Sequence, residues 1–295
     1  MGRFFLFLLA FCALALGLGL WMTRATPLPA GTMAGLTGDP VNGRDVFLAG
    51  GCVSCHGEAG SAHVLSPVLA GGTRLATPFG TFVAPNISPD PTAGIGRYDL
   101  DGFAGVMLRG VTPEGRHVYP AMPYPSYVRM TLQDIADLKA YLDTLPASAT
   151  PNAPNDLRFP YSIRRAVGLW KIANLDPSFV AAAPSPQMER GRYLVEALGH
   201  CADCHTPRTR FGGLDRSRWM AGVPAVSGRS AVPNITPAAL DWSQREIVYY
   251  LESGFNPDHE EVGRDMDDVI AGLSQLPDED RQAIAAYLRG LAPLQ

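Results

Sequence analysis

Two pentapeptides constrain this chain more than anything else in it: Cys52-Val53-Ser54-Cys55-His56 and Cys201-Ala202-Asp203-Cys204-His205. Each presents two thiols from one turn of backbone and an imidazole directly after them. That spacing is the attachment sequence for c-type haem, in which both sulfurs form thioethers with the porphyrin edge and the histidine ligates the iron. Two copies, each with its histidine, predict two covalently attached haems c per chain.

The competing uses of these cysteines explain less. A zinc site built from Cys52, Cys55, Cys201 and Cys204 leaves the histidine after each pair without a role. A thioredoxin-like dithiol needs a neighbouring strand and helix pattern, whereas these flanks are rich in glycine and proline. The fifth cysteine, Cys12, lies deep in an apolar run behind the bulky Phe11 and reads as an inert thiol rather than a lipid-bearing one.

The 295 residues include 31 glycines and 26 prolines, so loops must be long, and loop-rich domains need an organiser such as a large cofactor. The length suits two modest domains behind a targeting segment. A net charge of -4, with Lys139 and Lys171 the only lysines and no basic run, argues against nucleic acid as a partner.

Phe4 to Met22 is an unbroken apolar stretch behind Arg3, long enough to cross a bilayer. The best small-x-small cleavage candidate, Ala13 to Ala15, lies inside the run, which favours a retained anchor over a cleaved signal. Arg3 would stay in the cytoplasm, placing the chain beyond about residue 25 on the periplasmic face of the inner membrane.

An internal repeat points to the second axial ligands. Gly43-Arg44 recurs as Gly191-Arg192, and Pro85-Asn86-Ile87-Ser88 recurs as Pro233-Asn234-Ile235-Thr236. Aligning the segments that end at Gly110 and Gly254 brings Met122 onto Met266. Methionine is the common far ligand in cytochromes c. Met122 sits in Tyr119-Pro120-Ala121-Met122-Pro123-Tyr124, where prolines hold the backbone extended. Met266 lies among Asp265, Asp267 and Asp268 without such prolines and rests mostly on the repeat. Met107 and Met130 have no methionine counterpart and read as core, and neither His117 nor His259 is repeated as histidine. The two Pro-Asn-Ile-Ser/Thr-Pro segments read as turns with hydroxyl capping, a polar contact from Asn86 or Asn234 to haem being the second reading.

Four helices can be placed around these sites. Thr131 caps one whose apolar residues run from Leu132 to Leu145, and its partner spans about Asp278 to Gly290. Phe103 to Gly110 pairs with a helix opened by the capping box Ser243/Glu246 and stopped at Gly254. With no convincing alternating strands, the expected fold is all-α: two tandem class I cytochrome c domains, loop-rich, behind an N-terminal transmembrane or signal helix. The expected divisions are 1–25 for that helix, 36–147 for domain 1, 148–186 for a linker and 187–293 for domain 2.

From about residue 40 to 293 the chain resembles the multi-haem cytochrome c subunits of membrane-bound alcohol, aldehyde and gluconate dehydrogenases. The resemblance is carried by Gly51 to Gly57, by Tyr119 to Tyr124, by Phe159-Pro160 through Trp170, by Cys201 to Pro207 and by Asn234-Ile235-Thr236. It implies a subunit without substrate chemistry of its own, taking electrons from a dehydrogenase and passing them to a cytochrome, quinone or oxidase acceptor. Those subunits usually carry three attachment sequences and this chain has two. The rival readings are a dihaem peroxidase, disfavoured by two well-placed methionines, and a dihaem sulfur-compound oxidoreductase, disfavoured by the lack of a further exported cysteine. A haem-bearing sensor or assembly protein is a third. Arg74, Arg97, Arg208 and Arg229 are candidates to pair with haem propionates.

Overall fold

A computed structural model describes residues 2–57, 66–225, 230–261 and 263–294. It opens with helix α1 (Gly2–Met22), exposed along its length and apolar enough to cross a membrane. Two similar helical units follow.

In the first unit α2 (Pro40–Ala49) crosses α6 (Leu132–Leu142), and in the second α8 (Pro186–Tyr193) crosses α12 (Asp278–Arg289). The repeated glycines explain how. Gly43 lies against the Asp137 carbonyl and the Tyr141 Cβ, and Gly191 against the Ala283 carbonyl and the Tyr287 Cβ, so neither has room for a side chain. The Gly-Arg repeat is therefore a helix-crossing device. The Thr131 hydroxyl accepts from the Asp134 N–H at the start of α6, and the Ser243/Glu246 capping box forms at the start of α10 (Gln244–Ser253). Helix α4 (Leu100–Arg109) stops at Gly110 with φ 57°, and α10 stops at Gly254 with φ 78°. Met107 and Met130 lie in the core, as expected.

Helices hold only 44% of the chain, and one expectation needs correcting. A small antiparallel sheet is present, in the order β1 (Arg74–Thr77), β2 (Gly80–Val83), β3 (Asp156–Leu157). Leu75 pairs with Phe82, and these residues, with Tyr119, Leu157 and Val167, make a second small apolar cluster. The segment expected as a linker thus supplies a strand and, further on, helix α7 (Val167–Asn174) to the first unit.

The end of α1, with Thr23 just beyond it, is fastened to that segment and to His117. The Thr23 carbonyl accepts from His117 Nε2 at 3.0 Å, and its hydroxyl accepts from Arg165 at 3.1 Å. Arg165 also reaches the Leu20 carbonyl, and Gly168 packs against the Thr23 backbone.

The two units share one continuous core. Across their junction Arg44 donates to Gln275 at 2.7 Å, while Tyr193 Oη accepts from the Thr131 N–H and donates to the Asp134 carboxylate.

Candidate haem sites

Each attachment sequence is a short helical turn, α3 (Cys52–His56) in the first unit and α9 (Ala202–His205), with Cys201 as its N-cap, in the second. Burial pushes the Cys52 and Cys201 thiols up to about 12, so both stay protonated and neutral. The two pairs do not converge, and among the described residues no group of three or more histidine, cysteine or carboxylate side chains is placed to hold a metal ion.

The histidines share one geometry. His56 Nδ1 lies 2.8 Å from the Pro85 carbonyl oxygen, and His205 Nδ1 lies 2.8 Å from that of Pro233. A carbonyl only accepts, so Nδ1 carries the proton and Nε2 keeps its lone pair. Burial holds both imidazoles below the ordinary histidine value, which leaves them neutral at pH 7. A neutral imidazole with Nδ1 tied to a backbone carbonyl is the arrangement that aims Nε2 at a metal.

The loop carrying that carbonyl is built identically in both units. Gly71 donates to the His56 carbonyl and Gly222 to the His205 carbonyl, each at 2.8 Å, while Ile87 donates to Leu69 and Ile235 to Met220, each at 3.0 Å. Gly71 and Gly222 have φ of 71° and 75°, and both press too closely on the returning loop for any side chain.

The turns at Asn86 and Asn234 form as expected, but their side chains serve another end. Each Oδ1 accepts from the backbone two residues on, while Asn86 Nδ2 donates to the Ser148 and Thr150 carbonyls and Asn234 Nδ2 donates to the Leu294 carbonyl. The Ser88 and Thr236 hydroxyls accept from the Ser148 and Leu294 N–H groups. The tail after each C-terminal helix is thereby clipped to the loop whose proline carbonyl sets the histidine.

The methionines differ. Met122 sits in a tight turn, its N–H donating to Tyr119 and its carbonyl accepting from Tyr124, directly ahead of α5 (Tyr124–Tyr127). Met266 lies in the first turn of a longer helix, α11 (Arg264–Leu273). Both are half-buried against the core. Beside Met122, the buried Tyr124 hydroxyl has no hydrogen-bond partner among the described residues. Neutral thiols, an aimed imidazole and a half-buried thioether fit a c-type haem in each unit, and the first unit adds the orphaned Tyr124 hydroxyl.

The other candidates are placed elsewhere. His117 is taken up by Thr23 and by Lys171, 3.2 Å from its Nδ1. His259 is exposed, with φ 63°. Arg208 binds the Asp203 carboxylate and carbonyl and the Gly212 carbonyl, bracing the second attachment turn. Arg74 and Arg97 are exposed, and Arg229 lies outside the described residues.

Sequence reasoning missed Lys171. Its Nζ donates to the Arg109 and Gly110 carbonyls at 2.7 and 2.6 Å and lies 4.9 Å from the Tyr124 ring centroid. Burial brings this lysine down to about 8. It locks α7 onto the end of α4, next to the Met122 turn. A single lysine in a connecting segment carried no signal of this.

Comparison with known proteins agrees with the duplicated geometry. The Cytochrome c family model matches twice, over residues 40–146 and 188–292. The chain is 49% identical over 288 residues to a diheme cytochrome c-type protein of Cereibacter sphaeroides, covering 97% of both chains. It is 36% identical to the fructose dehydrogenase cytochrome subunit of Gluconobacter japonicus, over 84% of this chain and 52% of that one. It is 38% identical to the cytochrome c subunit of alcohol dehydrogenase (quinone) from Gluconacetobacter polyoxogenes, over 85% of this chain and 56% of that one. The chain therefore spans about half the length of these two dehydrogenase subunits.

Proposed function

We infer the role of this chain from one premise: it belongs to the cytochrome c family and carries two covalently bound haem c groups. It is a single-electron relay between a dehydrogenase on the periplasmic side and a cytochrome, quinone or oxidase acceptor of the respiratory chain. The names of its relatives support the donor class, since several are cytochrome subunits of dehydrogenases.

Residues 36–147 and 187–293 act as the two haem domains, joined by 148–186. Cys52 and Cys55 attach one haem and Cys201 and Cys204 the other. His56 with Met122, and His205 with Met266, would hold the two irons. The haem supplies reversible one-electron iron chemistry when bound. The polypeptide orients each imidazole through a proline carbonyl and keeps it neutral, and the methionine of each unit would supply a thioether to the same iron. With two protein ligands each iron would have no position for substrate, which separates this reading from a peroxidase. The observation that carries it is the matched Nδ1 contact of His56 and His205.

Helix α1 serves as a membrane anchor. Its last turn is tied to Arg165 through the Leu20 carbonyl, and Thr23 just beyond it is held by His117 and Arg165, so the helix leaves the first domain from a fixed point. Beside that junction Phe159, Tyr161, Ile163, Leu169 and Ile172 are exposed, as suits a surface resting on lipid headgroups.

Visible and near-infrared spectra of the purified chain test this reading. Two low-spin haems per chain, with methionine-to-iron charge-transfer bands and no response to carbon monoxide, are expected. A high-spin or carbon-monoxide-reactive haem would overturn one methionine assignment and favour an enzymatic site.

A further inference from the structure

One contact between the two units is accounted for neither by the internal repeat nor by the proposed ligands. His200 directly precedes Cys201, and its Nε2 lies 3.1 Å from the carbonyl oxygen of Gly50, two residues ahead of Cys52. The carbonyl can only accept, so the imidazole N–H donates. The ring meets Tyr127 edge-on, with centroids 5.8 Å apart. Gly50 is itself bordered by the Cys52 Sγ and the Tyr127 hydroxyl.

The backbone makes this contact harder to dismiss. The residue before the first cysteine of each pair is left-handed: Gly51 has φ 56° and His200 has φ 38°. Glycine takes that conformation freely, whereas a residue with a Cβ takes it at a free-energy cost. The first unit uses the free solution. The second unit uses histidine, and its side chain reaches across to the other attachment turn. Strain retained at one of two equivalent positions is a reason to look for a role.

We propose that His200 is the bridge through which the two haems exchange electrons. The connection runs from Cys52 through the Gly51 and Gly50 backbone, across the hydrogen bond into the imidazole, and on to Cys201. It consists of covalent bonds and one hydrogen bond, with no gap through space. One electron leaves the reduced haem of one unit and arrives at the oxidised haem of the other; no bond breaks and no proton moves. This rests on the electron-relay reading above.

The test uses the full chain in detergent, half-reduced, with inter-haem exchange read from two-dimensional exchange spectra of the haem methyl resonances. His200→Gly suits the left-handed backbone and removes the bridge, whereas His200→Gln keeps an N–H donor at a similar reach. His200→Gly should slow exchange severalfold while haem content, ligand bands and both reduction potentials stay in place, and His200→Gln should recover much of the rate. Wild-type exchange in His200→Gly with both haems intact would overturn the bridge. So would slowing accompanied by shifted potentials and no recovery in His200→Gln, which would mark a purely structural latch. Failure of the relay reading looks different, because it appears in the wild-type spectra as a high-spin haem.

Discussion

The two haem units are built alike at the histidine end and differently at the methionine end. In both, a proline carbonyl takes the imidazole N–H, a positive-φ glycine closes the loop, and an asparagine clips that loop to the chain's return. On the far side, Met122 lies in a proline-flanked turn braced by Tyr124, Lys171 and α7, whereas Met266 rides on the first turn of α11. Attachment admits little variation, because both thiols and the imidazole must meet one porphyrin. On the proposed ligation the methionine only has to arrive, which would leave the two units free to diverge there, and methionine ligation is also a lever on potential.

The harshest way to probe the comparison is to remove one attachment at a time. Replacing Cys52 and Cys55 by alanine, or Cys201 and Cys204, should each lower the haem-to-chain ratio from two to one in a pyridine haemochrome assay. Loss of both haems from either variant would show that the units depend on each other for maturation, contrary to two separately organised sites.

The methionines give the next largest effect. Met122→Ala and Met266→Ala should each abolish one near-infrared charge-transfer band and lower the potential of one haem. The preorganised Met122 should also resist displacement better. Added imidazole is expected to displace Met266 at about tenfold lower concentration, the ratio that ~1.4 kcal/mol of preorganisation produces. Equal titration midpoints would mean that the prolines around Met122 do not stiffen the ligand.

Much of this was legible from the residues because it obeys local rules. The Thr131 cap, the Ser243/Glu246 box and the glycine stops at Gly110 and Gly254 each depend on neighbours within one helical turn. The sheet was not legible. Strands of four and two residues are too short to show an alternating pattern, and β3 comes from a segment that reads as linker. The partners of His56 and His205 are backbone carbonyls, which any residue type supplies. His200 was hidden for the opposite reason, since alignment of the repeat brings out what the units share and His200 stands where the first unit has glycine.

Packing should be more evenly matched than ligation. Gly43→Ala and Gly191→Ala each force a Cβ into a neighbouring helix backbone, and overpacking of this kind costs about 1–3 kcal/mol. Similar losses in chemical denaturation of the two variants would support equivalent crossings. A mild effect at Gly191 alone would show that the second unit yields more readily, in line with its less constrained methionine.

The smallest expected effect lies where the units are tied together. Asp176 accepts from Ser178 and Arg216, and Arg129 of the first unit donates to the Asp176 and Ser178 carbonyls at 3.2 and 2.9 Å, so one turn is gripped from both sides. The bonds from Ser178, and then Arg216, hold the Asp176 carboxyl down to about 2 against an ordinary 3.8. A carboxylate whose folded value lies below its unfolded one stabilises the fold fully above about pH 4, and that contribution fades as pH falls towards 2. The group is largely solvated, so screening limits it to roughly 0.5 kcal/mol. Asp176→Asn should therefore melt slightly below wild type at pH 7, and the gap should close on acidification. A gap that persists at the lowest pH where both still fold would mean that the turn holds the units by shape and backbone bonds, with the charge contributing nothing.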